Sequence, residues 1–89
     1  MPSQNSSRAR ALLDQSNALV MNGNPEGAFR LLRQANQLDT SNAEVVKKAG
    51  DALLLYNKPA ANYWYTKYKN MPNARADVAE KNFRLLRGD

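Results

Sequence analysis

Eighty-nine residues leave room for one domain, and a chain of this length does not favour a deep catalytic pocket. Hydrophobic residues make up 43% of the sequence and charged residues 24%, a balance typical of chains that fold. Cysteine and histidine are both absent, which excludes disulfides, the usual zinc ligands and the Cys/His and Ser/His nucleophile pairs. We therefore expect no enzymatic activity and no cofactor or metal.

The first seven residues are polar and contain no apolar run. They are predicted to form a disordered tail over 1–7, and they do not resemble a signal peptide or a membrane anchor. The longest apolar runs, at 19–21 and 53–56, are far too short to span a membrane. From these features we expect a cytoplasmic protein without a membrane span.

Apolar residues at helical spacing predict five helices, and no stretch alternates in the way that a strand requires. In chain order the predicted helices cover 9–21, 25–38, 43–56, 60–69 and 74–87. The turn after the first helix contains Gly23, which can take a left-handed conformation, and Asn24, which can cap the second helix. Ser41 or Asn42 can cap the third helix, and Asn57 stands at the start of a similar turn.

Residues of similar type recur 34 positions apart. The pairs are Leu12 and Val46, Ser16 and Gly50, Leu19 and Leu53, Gly23 and Asn57, and the Asn24-Pro25 and Lys58-Pro59 turns. A fixed period of this size is typical of stacked helical hairpins.

The residues at this period resemble the tetratricopeptide repeat. In that family the first helix carries a bulky, a small and a bulky residue, and an alanine opens the second helix after a glycine-led turn. These roles fall to Leu12, Ser16, Leu19, Gly23, Ala28, Leu32 and Ala35 in the first unit, and to Val46, Gly50 and Leu53 in the second. Gly50 would be the small residue that lets two helices approach closely. The pattern slips by one residue after Pro59, and Tyr68 is too large for the closing small position.

The resemblance implies an all-α superhelix of about five antiparallel helices in one domain over 8–89. Repeat one would cover 9–42, repeat two 43–73 and a capping helix 74–87. The apolar side of that helix would cover helix four through Ala79, Phe83 and Leu86. A plain five-helix bundle is the alternative architecture. The last helix could alternatively begin a third repeat in a longer parent protein, or dock to another copy of the chain.

In tetratricopeptide proteins the first helix of each pair lines a concave groove, where partner peptides often lie. The resemblance therefore implies a protein-protein interaction module, acting as an adaptor, scaffold or chaperone. The candidate binding residues are Arg10, Leu13, Asn17, Met21, Lys47, Lys48, Asp51, Leu55 and Lys81, with Trp64 as an aromatic contact on the convex side. Lysine at 48 and 81 beside Asn17 would attract an acidic peptide. Exposed aromatic residues also leave self-association into a homo-oligomer open.

Charge supplies the rival function. The formal net charge of +5 arises in residues 45–89, which hold nine basic and four acidic residues, close to the aromatic run 63–68. A basic surface beside aromatic rings could bind nucleic acid. Four aromatic rings within six residues of a helix cannot all face one ligand, and Tyr65 and Tyr68 are expected to pack between helices four and five. We therefore prefer a protein partner and keep a small basic nucleic-acid binder as the alternative.

Overall fold

A computed structural model describes residues 4–88 and contains, within that range, five α-helices and no strand. The helices are α1 (Gln4–Met21), α2 (Pro25–Leu38), α3 (Ala43–Leu54), α4 (Lys58–Lys69) and α5 (Ala76–Arg87). Each helix packs against the next one along the chain, and α1 also contacts α3. The predicted all-α fold is confirmed, and this packing order fits a helical superhelix.

Asparagine caps the N-termini of three helices. The side-chain oxygens of Asn24, Asn42 and Asn57 accept hydrogen bonds from the backbone N–H three residues on, at 3.0, 3.3 and 3.3 Å. Each bond satisfies one of the N–H groups that a helix leaves without an internal partner. Gly23 has a φ of 79°, the left-handed conformation that lets the chain turn sharply between α1 and α2. The predicted turn at 23–24 is confirmed.

The contact between α3 and α4 depends on Gly50. A Cβ atom built on this glycine would overlap the ring of Tyr65, which is fully buried. Any larger residue would push the two helices apart or displace the ring. The close helix approach predicted at Gly50 is therefore confirmed.

Helix α1 begins earlier than predicted. Residues 4–7 are helical, so the disordered tail is wrong for these four residues, and residues 1–3 lie outside the described part of the chain. Extending a helix that has already nucleated costs little, even with polar residues. Ser6 Oγ also donates a hydrogen bond of 3.5 Å to Asp39 Oδ2, just beyond α2.

Helix α5 begins at Ala76, two residues later than predicted. The preceding residue, Arg75, is the N-cap but makes no side-chain cap, and its backbone N–H donates to the hydroxyl of Tyr68 at 2.9 Å. Asn73 Nδ2 donates to the carbonyl of Ser41 at 3.1 Å and so ties this junction to the α2–α3 turn. Tyr68, which seemed too large from the repeat pattern, supplies the hydroxyl that holds the start of α5.

The inner side of α5 matches the prediction for a capping helix in part. Ala79 is buried, Phe83 meets Tyr65 edge-on with ring centroids 6.4 Å apart, and Leu86 is half-buried. Asn82 is buried on the same side, which the prediction missed. Between residues 4 and 88 no helix combines the length and the apolar content needed to cross a membrane.

Candidate binding groove

Two hollows adjoin on the exposed side of α3. The first lies between α1 and α3, has a volume of about 280 Å³, and is lined by Ser16, Asn17, Val20, Met21, Leu32, Lys48, Asp51 and Ala52. The second lies between α3 and α5, has a volume of about 470 Å³, and is lined by Ala43, Glu44, Lys47, Lys48, Tyr68, Asn73, Arg75 and Val78. Lys48 lines both hollows, so together they form one elongated surface, the α3 groove.

The structure brings half of the predicted binding residues to the α3 groove. Asn17, Met21, Lys48 and Asp51 line the first hollow, and Lys47 joins Lys48 in the second. Five residues chosen from the repeat pattern therefore share one surface.

A salt bridge joins α1 and α3 near their N-terminal ends. The guanidinium of Arg10 lies 3.0 Å from the carboxylate of Glu44, and it also lies 3.7 Å from Asp14. All three side chains are more than half exposed, so the bridge adds little to stability. Its Glu44 end lies on the α3–α5 hollow, and Arg10 is a predicted residue that lines neither hollow.

The charge in the middle of the groove is only partly compensated. Asp51 accepts hydrogen bonds from Lys47 Nζ at 2.5 Å and from the hydroxyl of Tyr65 at 2.6 Å. Burial, and next the bond to this carboxylate, raise the pKa of Tyr65 well above its ordinary value. No carboxylate between residues 4 and 88 forms an ion pair with Lys48, so the groove keeps a net positive charge at its centre.

One end of the α3 groove exposes large apolar side chains. Met21, the last residue of α1, is 88% exposed, and Val20 beside it is 37% exposed. Leu55, which caps α3 and lies 34 positions after Met21, is 62% exposed although it lines neither hollow. Exposed apolar groups near a groove are typical of binding surfaces.

Two predicted binding residues belong to the core instead. Leu13 is 1% exposed, because it lies on the buried side of α1 with Ala9 and Ser16. Trp64 is 8% exposed, and its ring meets Phe29 of α2 edge-on with centroids 5.7 Å apart. Their placement in the binding set was wrong, since helical spacing alone did not separate inner from outer positions.

Lys81 and Tyr63 remain accessible away from the α3 groove. Lys81 is exposed on α5 and lines neither hollow. Tyr63 is 64% exposed, so it is this ring, and not Trp64, that faces outward from α4. The aromatic run therefore offers one accessible ring, because Tyr65 and Tyr68 are buried as expected.

Sequence reasoning missed part of the groove lining. Ser16, Leu32 and Ala52 also line the first hollow; the first two were identified only as repeat positions, and Ala52 was not identified. Asn73 and Arg75 come from the irregular segment before α5, where no repeat pattern could place them. Ser16 lies 34 positions before Gly50, and this period could have indicated that a small residue lines the groove at position 16.

Within residues 4–88 no group of acidic side chains is arranged to hold a metal ion. The described chain is thus an all-α stack of helical hairpins with one elongated groove. No protein-family model, curated protein or solved structure matches the sequence. Function must therefore be argued from the groove itself.

Proposed function

We propose that this protein is a protein-protein interaction module that binds an acidic peptide segment of a partner along the α3 groove, and that it does not catalyse a reaction. The observation that carries the proposal is the position of Lys48. It lines both hollows, it is half-buried, and no carboxylate of the described residues pairs with it. An ammonium group held in this way attracts a carboxylate without demanding one geometry.

The apolar end of the groove supplies the second element of recognition. Met21 and Val20 are exposed beside the polar centre formed by Asn17 and Lys48. Methionine adapts its shape to different apolar partners because its side chain is unbranched and flexible. A segment with an apolar anchor and neighbouring acidic residues therefore complements the surface.

The spacing of these residues supports a tetratricopeptide-like role as adaptor, scaffold or chaperone. α1 and α3 present residues 34 positions apart, such as Met21 and Leu55, in the way that first helices of successive repeats would. The groove lies between those helices, where the resemblance implied it.

Nucleic acid fits the molecule less well. Base stacking needs accessible rings, and Trp64, Tyr65 and Tyr68 are 8%, 0% and 4% exposed. The remaining basic residues on α4 and α5 could contact phosphates, but of the aromatic run 63–68 only Tyr63 is exposed beside them. Such binding would also weaken steeply as salt rises.

A peptide titration tests the proposal. The probe is a fluorescein-labelled peptide in which two leucines flank a run of glutamates, measured by anisotropy and by backbone amide chemical shifts of the full chain. Binding should shift the α1 and α3 resonances around Asn17 and Lys48. Lys48→Glu should weaken it about tenfold, because an attraction becomes a repulsion.

The matched control is Arg33→Glu, which makes the same change in net charge on an exposed residue of α2 outside the groove. This variant should bind the probe as the parent chain does. Equal affinity of Lys48→Glu and the parent would contradict the proposal. So would tighter binding of a single-stranded oligonucleotide with a steep salt dependence, which would favour the rival function.

A further inference from the structure

A further hollow lies on α5, beside the α3 groove. It has a volume of about 550 Å³ and lies along one edge of α5, beside the last turn of α4. Its apolar part is formed by Ala76, Ala79 and Phe83, and its basic part by Lys69, Arg75 and Arg87. We call this hollow the α5 end groove.

The position of the end groove follows from a comparison of α5 with α3. The N-cap residues of these helices are Asn42 and Arg75, and aligning them places Phe83 opposite Gly50. The side of α3 that carries Gly50 is covered by α4, since Gly50 lies directly against Tyr65 of that helix.

Among the described residues the same side of α5 is covered only in part, since Ala79 is buried. Ala76 is exposed and Phe83 is only half-buried, whereas Ala43, the α3 counterpart of Ala76, is 8% exposed. Small residues at 76 and 79 leave room for another helix, which Phe83, in the place of Gly50, would hold farther from α5 than α4 lies from α3. The shape of the end groove is thus that of a site for one more helix.

Its charge indicates what kind of helix fits. Lys69 lies with its Nζ 6.0 Å from the centre of the Phe83 ring, so a cation stands at the edge of the apolar surface. Glu80 also lines the groove, but its carboxylate accepts a 2.6 Å hydrogen bond from Arg84. Arg75 likewise pairs with Asp77 at 3.0 Å. The lining residues comprise three cations, Lys69, Arg75 and Arg87, and one carboxylate, Glu80, so the surface is basic.

We propose that the α5 end groove binds an acidic amphipathic helix of a partner protein. The apolar side of such a helix would cover Ala76, Ala79 and Phe83, and its acidic flank would face Lys69 and Arg87. A second copy of this chain is a poorer occupant, because its formal net charge of +5 opposes a basic groove. The end groove meets the α3 groove at Arg75, which lines both, but Lys69, Phe83 and Arg87 line only the end groove.

Two helical probe peptides test this inference on the full chain. One carries leucines along one helical stripe with glutamates on its flanks, and the other has lysine in place of every glutamate. We expect the acidic peptide to bind, with anisotropy rising and the largest amide shift changes in α5 and the last turn of α4. We expect the basic peptide not to bind.

Substitutions then locate the site. Lys69→Glu combined with Arg87→Glu should weaken binding of the acidic probe about tenfold or more, because two exposed attractions are reversed. The matched control, Arg8→Glu with Arg33→Glu, makes the same change in net charge on exposed residues outside the groove and should bind normally. Circular dichroism should show that both variants keep their helices.

Because the α3 groove is also proposed to bind acidic segments, binding in the end groove is measured by the amide shifts of α5, and Lys48→Glu should leave the α5 shifts caused by the helical probe unchanged. Equal binding of the two helical peptides, or equal weakening by the two double variants, would overturn the inference. So would light scattering that shows a dimer of the parent chain which Lys69→Glu with Arg87→Glu dissociates, since a second copy would then occupy the end groove.

Discussion

Gly50 determines how closely α3 and α4 pack. A methyl group at this position would overlap the Tyr65 ring, and that ring cannot move away easily because its hydroxyl is bonded to Asp51 and its edge meets Phe83. Gly50→Ala should gain about 1 kcal/mol from helix propensity but lose about 2 kcal/mol from overpacking. We expect a net loss of about 1 kcal/mol in the free energy of unfolding, measured by urea denaturation.

The control for this substitution removes the ring that causes the overlap. In a Tyr65→Leu background, Gly50→Ala should be neutral or stabilising, because the methyl group then meets a smaller and more flexible side chain. An equal loss in both backgrounds would show that the ring does not limit the helix approach.

The hydroxyl of Tyr65 should make stability depend on alkaline pH. Burial and the bond to Asp51 raise its pKa above the ordinary value of 10.0 in the folded chain. The stabilisation by the Tyr65 hydroxyl is complete below the ordinary tyrosine pKa of 10.0. It is lost as the pH rises above 10.0, because Tyr65 then ionises in the unfolded chain but not in the folded chain. The free energy of unfolding should fall by up to about 1.4 kcal/mol per pH unit.

Urea denaturation between pH 9 and 11, chosen as a range about the tyrosine pKa, measures this effect. Tyr65→Phe should flatten the fall, whereas Tyr63→Phe, which removes a hydroxyl from an exposed ring, should retain it. The same slope in all three proteins would assign the pH dependence to other groups.

Helix α5 depends on a hydroxyl from a neighbouring helix. Tyr68 OH accepts the backbone N–H of Arg75, and the Arg75 side chain does not cap α5. Tyr68→Phe keeps the ring in the core but leaves this N–H without its partner, at a cost of about 1 kcal/mol. Amide exchange in the first turn of α5 should become faster, while exchange in α1 and α2 should not change.

Tyr56→Phe is the matched control for this substitution, because it removes a hydroxyl from a half-exposed ring outside the α4–α5 junction. It should leave exchange in α5 as it is in the parent chain. Uniformly faster exchange across all helices of the Tyr68→Phe variant would indicate general destabilisation and contradict a local role.

Local sequence rules predicted the regular parts of this fold. The caps at Asn24, Asn42 and Asn57 depend on residues within three positions, so they can be identified without knowing the tertiary structure. The start of α5 depends on Tyr68, seven residues away, and on the Ser41 carbonyl of another turn. Contacts of this kind arise only once the helices have packed.

The residues of the α3 groove, like the helix ends, could be predicted from the sequence only in part. Asn17, Lys48 and Asp51 were identified because a helical period and a repeat period both placed them on one side. Leu13 and Trp64 were misplaced because a helix in a stack buries two sides, and spacing alone does not tell which residue faces solvent. The α5 end groove could not be identified from the sequence, because it exists where no other described helix covers α5.

At the scale of the whole molecule, stability should decrease from the middle of the stack toward α5. Seven residues of α3 are buried and only Ala79 and Asn82 of α5 are. α3 lies between α2 and α4 and also contacts α1, whereas α5 packs mainly against α4. Asn82 weakens that single interface further, because its buried Nδ2 has no hydrogen-bond partner among the described residues.

Native-state amide exchange should therefore show α5 opening first and α3 last. The opening of α5 should need little denaturant, since it exposes little apolar surface, and α3 should exchange only by global unfolding. A helical partner in the end groove would bury the open side of α5, so the acidic helical peptide should slow exchange in α5 far more than in α1. Equal exchange free energies in α3 and α5 would show instead that the five helices unfold as one cooperative unit, with no separately labile helix for a partner to stabilise.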